Sequence, residues 1–330
     1  MEQESLIPHS EQILRHHAPV RVDYIAQLQA EMVRVLPTRS RQERDAFTAL
    51  DVHEQAWRFM NWQSRLVHPH PRQINKANDF DDLPAVQANR PGIEALLASL
   101  ARGDEVNAHL GHDVMQGYCL HPSGRKDGPD FDLLLNEWGI HHLHLDQAPG
   151  KGGFRARTKE LLYVILGRGV AFVLTVAPHG AWTSRRLIEV TVQSWPKQGL
   201  FAALNVHRGR DRSEDEHKGL RKVGLTTATV VNDQCWISGV TCGMSTALIS
   251  TRVSMETGQL LRCLYQAAEH PEHLYRQLMN AAALNGLAWP KEPNIAIRWL
   301  KGPDRYCFGF VEGMSGATIL IETALGQSRG

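Results

Sequence analysis

ELLYVILGRGVAFVLTVAP, residues 160–178, consists of two apolar runs that are separated only by Gly167, Arg168 and Gly169. Runs of this length, rich in Val, Leu and aromatic residues, are typical of β-strands, and a short link with glycine favours a tight turn between antiparallel strands. We therefore predict a β-hairpin near the middle of the chain, and the sheet that it begins decides the fold.

The segment before the hairpin, GIHHLHLDQ at 139–147, places three histidines and one aspartate within six consecutive positions. It has the alternation of a β-strand, in which successive side chains point to opposite faces. His142, His144 and Asp146 would then share one face. The other face would carry His141 and two leucines toward the core.

A short, glycine-rich connection, APGKGGFRAR, joins this histidine strand to the hairpin. Short connections favour neighbouring antiparallel strands. We expect the strand and the hairpin to face a single cleft, with His142, His144 and His179 close enough to act on the same substrate.

The N-terminal part of the chain is predicted to be helical. In RPGIEALLASLARGDE, residues 90–105, Ile93, Leu96, Leu97 and Leu100 have the spacing of one helix face. Gly103 follows where such a helix would end, since glycine readily adopts the left-handed conformation of a helix C-terminus.

The segment HRGRDRSEDEHKGLRK, residues 207–222, is mostly charged and has almost no apolar residue, which is typical of a linker or exposed loop. The pattern as a whole predicts an α+β fold. Its parts are a helical N-terminal region at 1–129, a candidate catalytic region with a short antiparallel sheet and the hairpin at 130–206, the charged linker or loop at 207–222, and a C-terminal α+β region at 223–330.

The composition bounds the function. With 330 residues, of which 42% are hydrophobic, the chain can bury a sizeable core. The 36 basic residues balance the 35 acidic ones, so a nucleic-acid site would have to be a local basic patch. The five cysteines form no CxxC pair, which argues against a disulfide scaffold or zinc ribbon. There is no secretory signal and no membrane-spanning stretch, so we expect a cytoplasmic protein.

The chain also lacks GxGxxG, GxxxxGK[ST], HExxH and GxSxG motifs, so nucleotide-cofactor and serine-hydrolase chemistry are not expected. Two other chemistries suit the histidine strand. In the first, His142, His144 and Asp146 bind zinc or manganese, and the metal activates a water molecule for hydrolysis. The run His142-Leu-His144-Leu-Asp146 resembles the opening of the metallo-β-lactamase-fold signature His-x-His-x-Asp-His, with Gln147 in place of the last histidine.

The second chemistry needs no metal or other cofactor. Histidines act as general base and general acid on RNA: the 2′-hydroxyl is deprotonated and attacks the adjacent phosphorus, the leaving 5′-oxygen receives a proton, and an arginine stabilises the charge on the phosphate. His142 or His144, Arg155 or Arg157, and His179 supply these residue types.

Residues 154–182 add a resemblance to this second interpretation. Arg155, Arg157 and Lys159 precede an apolar hairpin that ends in His179, Gly180, Ala181 and Trp182. The segment resembles the catalytic hairpin of HigB/RelE-type toxins, endoribonucleases of bacterial toxin–antitoxin systems, in which tyrosine is usual at the position of Trp182.

The resemblance implies roles for these side chains and a setting for the protein. Arg155, Arg157 and His179 would contact phosphate and transfer protons, Lys159 would help to bind the substrate, and Trp182 would stack on a base. The implied function is a toxin-like nuclease that binds RNA, acts in growth arrest or phage defence and has a protein antitoxin as a regulatory partner.

Three function classes stay open. A metal-independent endoribonuclease is preferred. The alternatives are a metal-dependent hydrolase or nuclease and a non-enzymatic binding or interaction protein.

Overall fold

The computed structural model describes residues 23–120, 131–206, 212–302 and 305–321. The α-helices are α1 (Tyr24–Val35), α2 (Arg41–Thr48), α3 (Val52–Arg65), α4 (Pro84–Ala88), α5 (Arg90–Arg102), α6 (Leu133–Trp138), α7 (Arg186–Ser194), α8 (Glu214–Lys222), α9 (Thr251–Glu269) and α10 (Pro271–Leu284). The β-strands are β1 (Gln73–Lys76), β2 (Ile140–His144), β3 (Glu160–Leu166), β4 (Val170–Pro178), β5 (Phe201–Leu204), β6 (Thr229–Val231), β7 (Gln234–Ser238), β8 (Ile295–Lys301), β9 (Tyr306–Glu312) and β10 (Thr318–Leu320).

These helices and small sheets confirm the predicted α+β class. Within the described ranges, none of the helices has the length and apolar character needed to cross a bilayer. The chain divides into two compact units that differ from the predicted regions. Of the described residues, the first unit comprises 23–35, 258–302 and 306–321, and the second comprises 36–120, 131–206, 212–257 and 305.

In the first unit, α1 packs on a three-stranded antiparallel sheet in the order β10-β9-β8. Leu28 and Met32, one turn apart on α1, are fully buried. The carboxylate of Glu31 accepts a hydrogen bond from the backbone N of Trp299 in β8 at 2.8 Å, which ties the helix to the sheet.

The second unit is built on a four-stranded sheet in the order β1-β4-β3-β2. β3 and β4 pair antiparallel, as the predicted hairpin requires, and β2 pairs antiparallel with β3. The structure adds a strand that the sequence did not predict, since β1 pairs parallel with β4. β1 comes from the N-terminal region that was predicted to be helical, so that region and the hairpin share one sheet.

The core of the second unit surrounds this sheet. The apolar residues of the hairpin are buried, from Leu161 to Ile165 and from Ala171 to Leu174. α5 covers part of it with the predicted face, since its four periodic apolar residues are all buried. Gly103 ends α5 in the left-handed conformation, at φ +80°, as the sequence predicts.

The predicted linker or loop at 207–222 is corrected where the structure describes it. Residues Glu214–Lys222 form α8, inside the second unit. Ser213 and Glu216 make a reciprocal capping box, in which each side chain accepts a hydrogen bond from the other's backbone N. Two polar residues of the helix, His217 and Arg221, are buried, so the segment is part of the core despite its charge.

Candidate active site

A cleft of about 380 Å³ lies in the second unit at β2, the edge strand of its sheet. It is lined by residues from β2, from the segment after β4 and from α8. Side chains with acid–base, cationic or aromatic character are prominent in this lining and include Asp132, His142, Arg157, His179, Trp182 and Lys218.

Local structure brings the histidine strand to this cleft. Asp132 caps the N-terminus of α6 by accepting a hydrogen bond from Leu135 N at 3.0 Å. Gly139 then ends α6 in the left-handed conformation, at φ +75°, so that β2 starts at once. A side chain at Gly139 would be strained by this φ and would come within 2.8 Å of Val240.

The end of the hairpin is fixed by hydrogen bonds of its backbone. β4 ends at Pro178, whose carbonyl accepts from the Tyr163 hydroxyl at 3.0 Å. The backbone N of His179 donates to the Lys159 carbonyl at 3.2 Å. His179 thus projects from the end of β4, across β3 from the histidines of β2.

The three predicted histidines lie together. The ring centroids of His142 and His179 are 6.1 Å apart, and those of His144 and His179 are 6.2 Å apart. This geometry agrees with the expectation that the histidine strand and the hairpin face one cleft.

His179 is set up as a neutral imidazole. Its pKa is lowered first by burial and then by the neighbouring His142 and by the positive charge of Arg157. Arg157 Nη2 lies 3.4 Å from His179 Nε2 and can only donate to it. His179 Nε2 is therefore a proton acceptor near pH 7.

His142 has a different neighbour. Its Nδ1 lies 3.6 Å from Oδ2 of Asp132, and both side chains are mostly covered, with 18% and 24% of their surface exposed. The two histidines of the cleft thus have different charged neighbours, a carboxylate beside His142 and a guanidinium beside His179.

His144 differs from the prediction because it does not line the cleft. Only 2% of it is exposed, and its Nδ1 accepts a hydrogen bond from the backbone N of Thr158 at 3.1 Å. This bond fixes the neutral tautomer with the proton on Nε2, and burial lowers the pKa of His144 to about 4. Its backbone carbonyl accepts from His109 Nδ1 at 2.7 Å. His144 supports the strand beside the cleft and is out of reach of a substrate.

Three other predicted site residues are not brought into the cleft. Arg155 donates from Nη1 to the Gln147 carbonyl at 2.5 Å and holds the connecting loop. Lys159 is exposed and contributes its carbonyl to the bond with His179. β2 ends at His144, so the alternation stops before Asp146, whose carboxylate accepts from Ala148 N at 2.8 Å.

Trp182 lines the cleft with 38% of its surface exposed, and its ring centroid lies 5.0 Å from that of His179. Its backbone carbonyl accepts a hydrogen bond from Arg221, which in turn is paired with Glu137. Both members of this ion pair are buried, and His217 also contacts the carboxylate, at 3.1 Å. Burial alone would raise the pKa of Glu137, but these two partners keep it below its usual value.

The predicted metal ligands do not converge. The His144 ring is buried, and the Asp146 carboxylate is engaged in the loop. Across the described parts of the chain, no group of three or more His, Cys, Asp or Glu side chains is arranged to hold a metal ion. The arrangement of His142, His144 and Asp146 on one face, which the sequence suggested, does not fit zinc or manganese here.

No known family model matches the chain, and neither a curated protein nor a solved structure matches it.

Sequence reasoning missed the residues that complete the cleft. Asp132 stands directly before an apolar run, which is a helix N-cap signal but does not point to His142. Arg221 and Lys218 lie in the segment that was predicted to be a linker, although the run Ser213-Glu-Asp-Glu216 is a capping-box signal for a helix.

Proposed function

We propose that the cleft cleaves RNA by metal-independent general acid–base catalysis. The observation that carries this proposal is the pair of imidazoles, 6.1 Å apart between ring centroids, of which one adjoins a carboxylate and the other a guanidinium. A base and an acid so spaced can act on the two sides of one phosphate group.

His179 is the base in this proposal. Its lowered pKa leaves Nε2 unprotonated near pH 7, ready to take the proton of the 2′-hydroxyl. Arg157 now donates to that nitrogen, and because it is exposed it can turn to a phosphate oxygen when the substrate enters. That movement frees the lone pair of His179 and places a positive charge where negative charge develops in the transition state.

His142 is the acid. The 2′-oxygen forms a bond to phosphorus, the bond from phosphorus to the 5′-oxygen breaks, and the leaving oxygen takes the proton of His142. In this proposal Asp132, whose Oδ2 lies 3.6 Å from Nδ1, is the counter-ion of His142. The products are a 2′,3′-cyclic phosphate and a 5′-hydroxyl, so the reaction balances without water or a metal.

Trp182 supplies the contact to a nucleobase of the RNA. Aromatic side chains stack on unpaired bases with an energy of about 1–3 kcal/mol each. Its backbone is held by the buried pair of Arg221 and Glu137, so the ring is presented at a fixed position beside His179.

The test is cleavage of a labelled single-stranded RNA in excess EDTA, with analysis of the product ends. We expect 2′,3′-cyclic phosphate ends, and a rate that falls about 100-fold or more in His179→Ala. Lys159→Ala is the matched control, because this exposed neighbour does not line the cleft and its change should leave rate and folding intact.

Two results would overturn the mechanism. Cleavage that stops in EDTA and returns with zinc or manganese would favour the metal-dependent hydrolase. The absence of cleavage of any RNA by the folded wild-type protein would favour the non-enzymatic binding protein.

The toxin-like setting rests on the resemblance of residues 154–182 and is a separate proposal. It predicts that expression of the chain in a bacterial host arrests growth, that His179→Ala does not, and that a co-expressed protein partner relieves the arrest. Equal growth with wild-type protein and with His179→Ala would remove this setting while leaving the cleavage reaction to its own test.

A further inference from the structure

α8 presents a basic face to the cleft. Lys218 and Lys222 are four residues apart, so their side chains lie on the same side of the helix, with Cβ atoms about 5–6 Å from each other. Both are exposed, and both line the cleft that contains His142 and His179.

The two lysines differ from the other cations of the cleft in having no fixed task. Arg221 is held by Glu137 and by the carbonyl of Trp182, and Arg157 contacts His179. Lys218 and Lys222 have no ion-pair partner among the residues that the structure describes.

The charges of α8 are separated along its length. Its first turn carries three acidic residues, whereas its last turn carries Arg221 and Lys222. The basic end is the one that reaches the cleft, next to Trp182, whose carbonyl Arg221 contacts. The cleft is thus lined both by these ammonium groups and by the aromatic ring.

We propose that Lys218 and Lys222 bind backbone phosphates of a single-stranded RNA that continues beyond the cleaved bond. This inference rests on the proposed function and names its substrate class: single strands longer than a dinucleotide. Ammonium groups attract phosphates by charge without reading the base, so these contacts add affinity and no sequence preference.

The shape of the cleft supports a single strand. A volume of about 380 Å³ accommodates a small ligand, on the scale of one or two nucleotides. A base can lie on Trp182 only when it is unstacked and unpaired, as in single-stranded loops and ends. The rest of the RNA strand must then leave the cleft. The exposed lysines of α8 line a surface along which the strand can run.

The test compares wild-type protein with the double variant Lys218→Ala, Lys222→Ala. Binding is measured by fluorescence anisotropy with a 2′-O-methyl hexanucleotide, which cannot be cleaved by this mechanism. We expect affinity at low salt to fall about tenfold or more, and the dependence of log affinity on log salt to weaken by about 1.4, or 0.7 for each lost phosphate contact. The preference in kcat/KM for a hexanucleotide over a dinucleotide should shrink accordingly.

The control is Lys151→Ala, Lys197→Ala, which removes the same charge from exposed positions outside the cleft. Equal losses in both double variants would show a general charge effect and overturn the inference. If the variant Lys218→Ala, Lys222→Ala binds and cleaves RNA as well as the wild type does, the inference is overturned while the proposed function stands. Equal affinity for duplex RNA would overturn the single-strand assignment. A wild-type protein that neither binds nor cleaves RNA would defeat both proposals.

Discussion

The cleft has two walls that are held in place differently. The sheet wall consists of His142 and His179. Many backbone hydrogen bonds of the ladder formed by β2, β3 and β4 hold it in place. The helix wall consists of Lys218 and Arg221 of α8, and a small buried cluster holds this helix, in which Arg221 and His217 both contact the carboxylate of Glu137. The catalytic side chains are thus supported by an extended backbone ladder, whereas the surface that would bind the RNA strand is supported by a few side-chain contacts around one buried carboxylate.

The largest effect is expected from breaking the contact between Arg221 and Glu137. Arg221→Ala leaves the carboxylate of Glu137 buried without its guanidinium, which should lower the free energy of unfolding by about 3–5 kcal/mol. Urea denaturation measures the change. Lys222→Ala, on the same helix but exposed, is the control and should cost no more than about 0.5 kcal/mol.

A double-mutant cycle with Glu137→Gln sharpens this prediction. If the pair itself holds the helix wall, the loss in the double variant is smaller than the sum of the two single losses. A loss below about 1 kcal/mol in Arg221→Ala would mean that α8 is anchored by other contacts, and the contrast between the walls would disappear.

The second effect concerns pH and His144, which is buried beside the sheet wall. Folded His144 has a pKa of about 4, whereas an unfolded histidine titrates near 6.5. Below pH 6.5, His144 therefore binds a proton in the unfolded chain but not in the folded chain, and stability falls as pH drops toward 4. The neutral state of buried His144 thus accounts for about 3 kcal/mol of the free energy of unfolding, which is fully present above pH 6.5 and is lost as pH falls toward 4.

His144→Gln tests this linkage because glutamine does not titrate. Denaturant unfolding at pH 7 and pH 4.5 should show a smaller loss of stability in the variant than in the wild type. His270→Gln, which removes an imidazole that is 60% exposed, is the control. The same pH dependence in all three proteins would contradict the neutral assignment of His144.

The smallest effect is a shift of one titration. Arg157 is one of the causes that lower the pKa of His179, after burial and His142. Arg157→Ala should therefore raise the pKa of His179, as measured by NMR of its ring proton, and move the acidic limb of kcat/KM to higher pH. Arg155→Ala, whose side chain is bound to the Gln147 carbonyl, should leave that titration in place. An unchanged or lower pKa of His179 in Arg157→Ala would show that the guanidinium does not lower the pKa of His179.

The two walls also differ in how far the sequence predicts them. The hairpin and the histidine strand are recognisable because their apolar runs have the length and alternation of strands, and backbone pairing of neighbours follows from short connections. The sequence therefore predicted that His142 and His179 face one cleft, and their rings lie 6.1 Å apart. The sequence pattern also placed His144 on the open face, but the folded chain covers that side and leaves only 2% of His144 exposed.

By itself the sequence determined the elements whose signals are local: the hairpin, the helix that ends at Gly103, and the strand that follows Gly139. Only the tertiary structure decided that β1 joins this sheet and that Arg221 reaches Glu137, 84 positions away along the chain. The reason is physical. Periodicity reports which face of an element is apolar, whereas the partner of a buried charge depends on which distant segment the fold brings to it, and nothing in the local pattern specifies that segment.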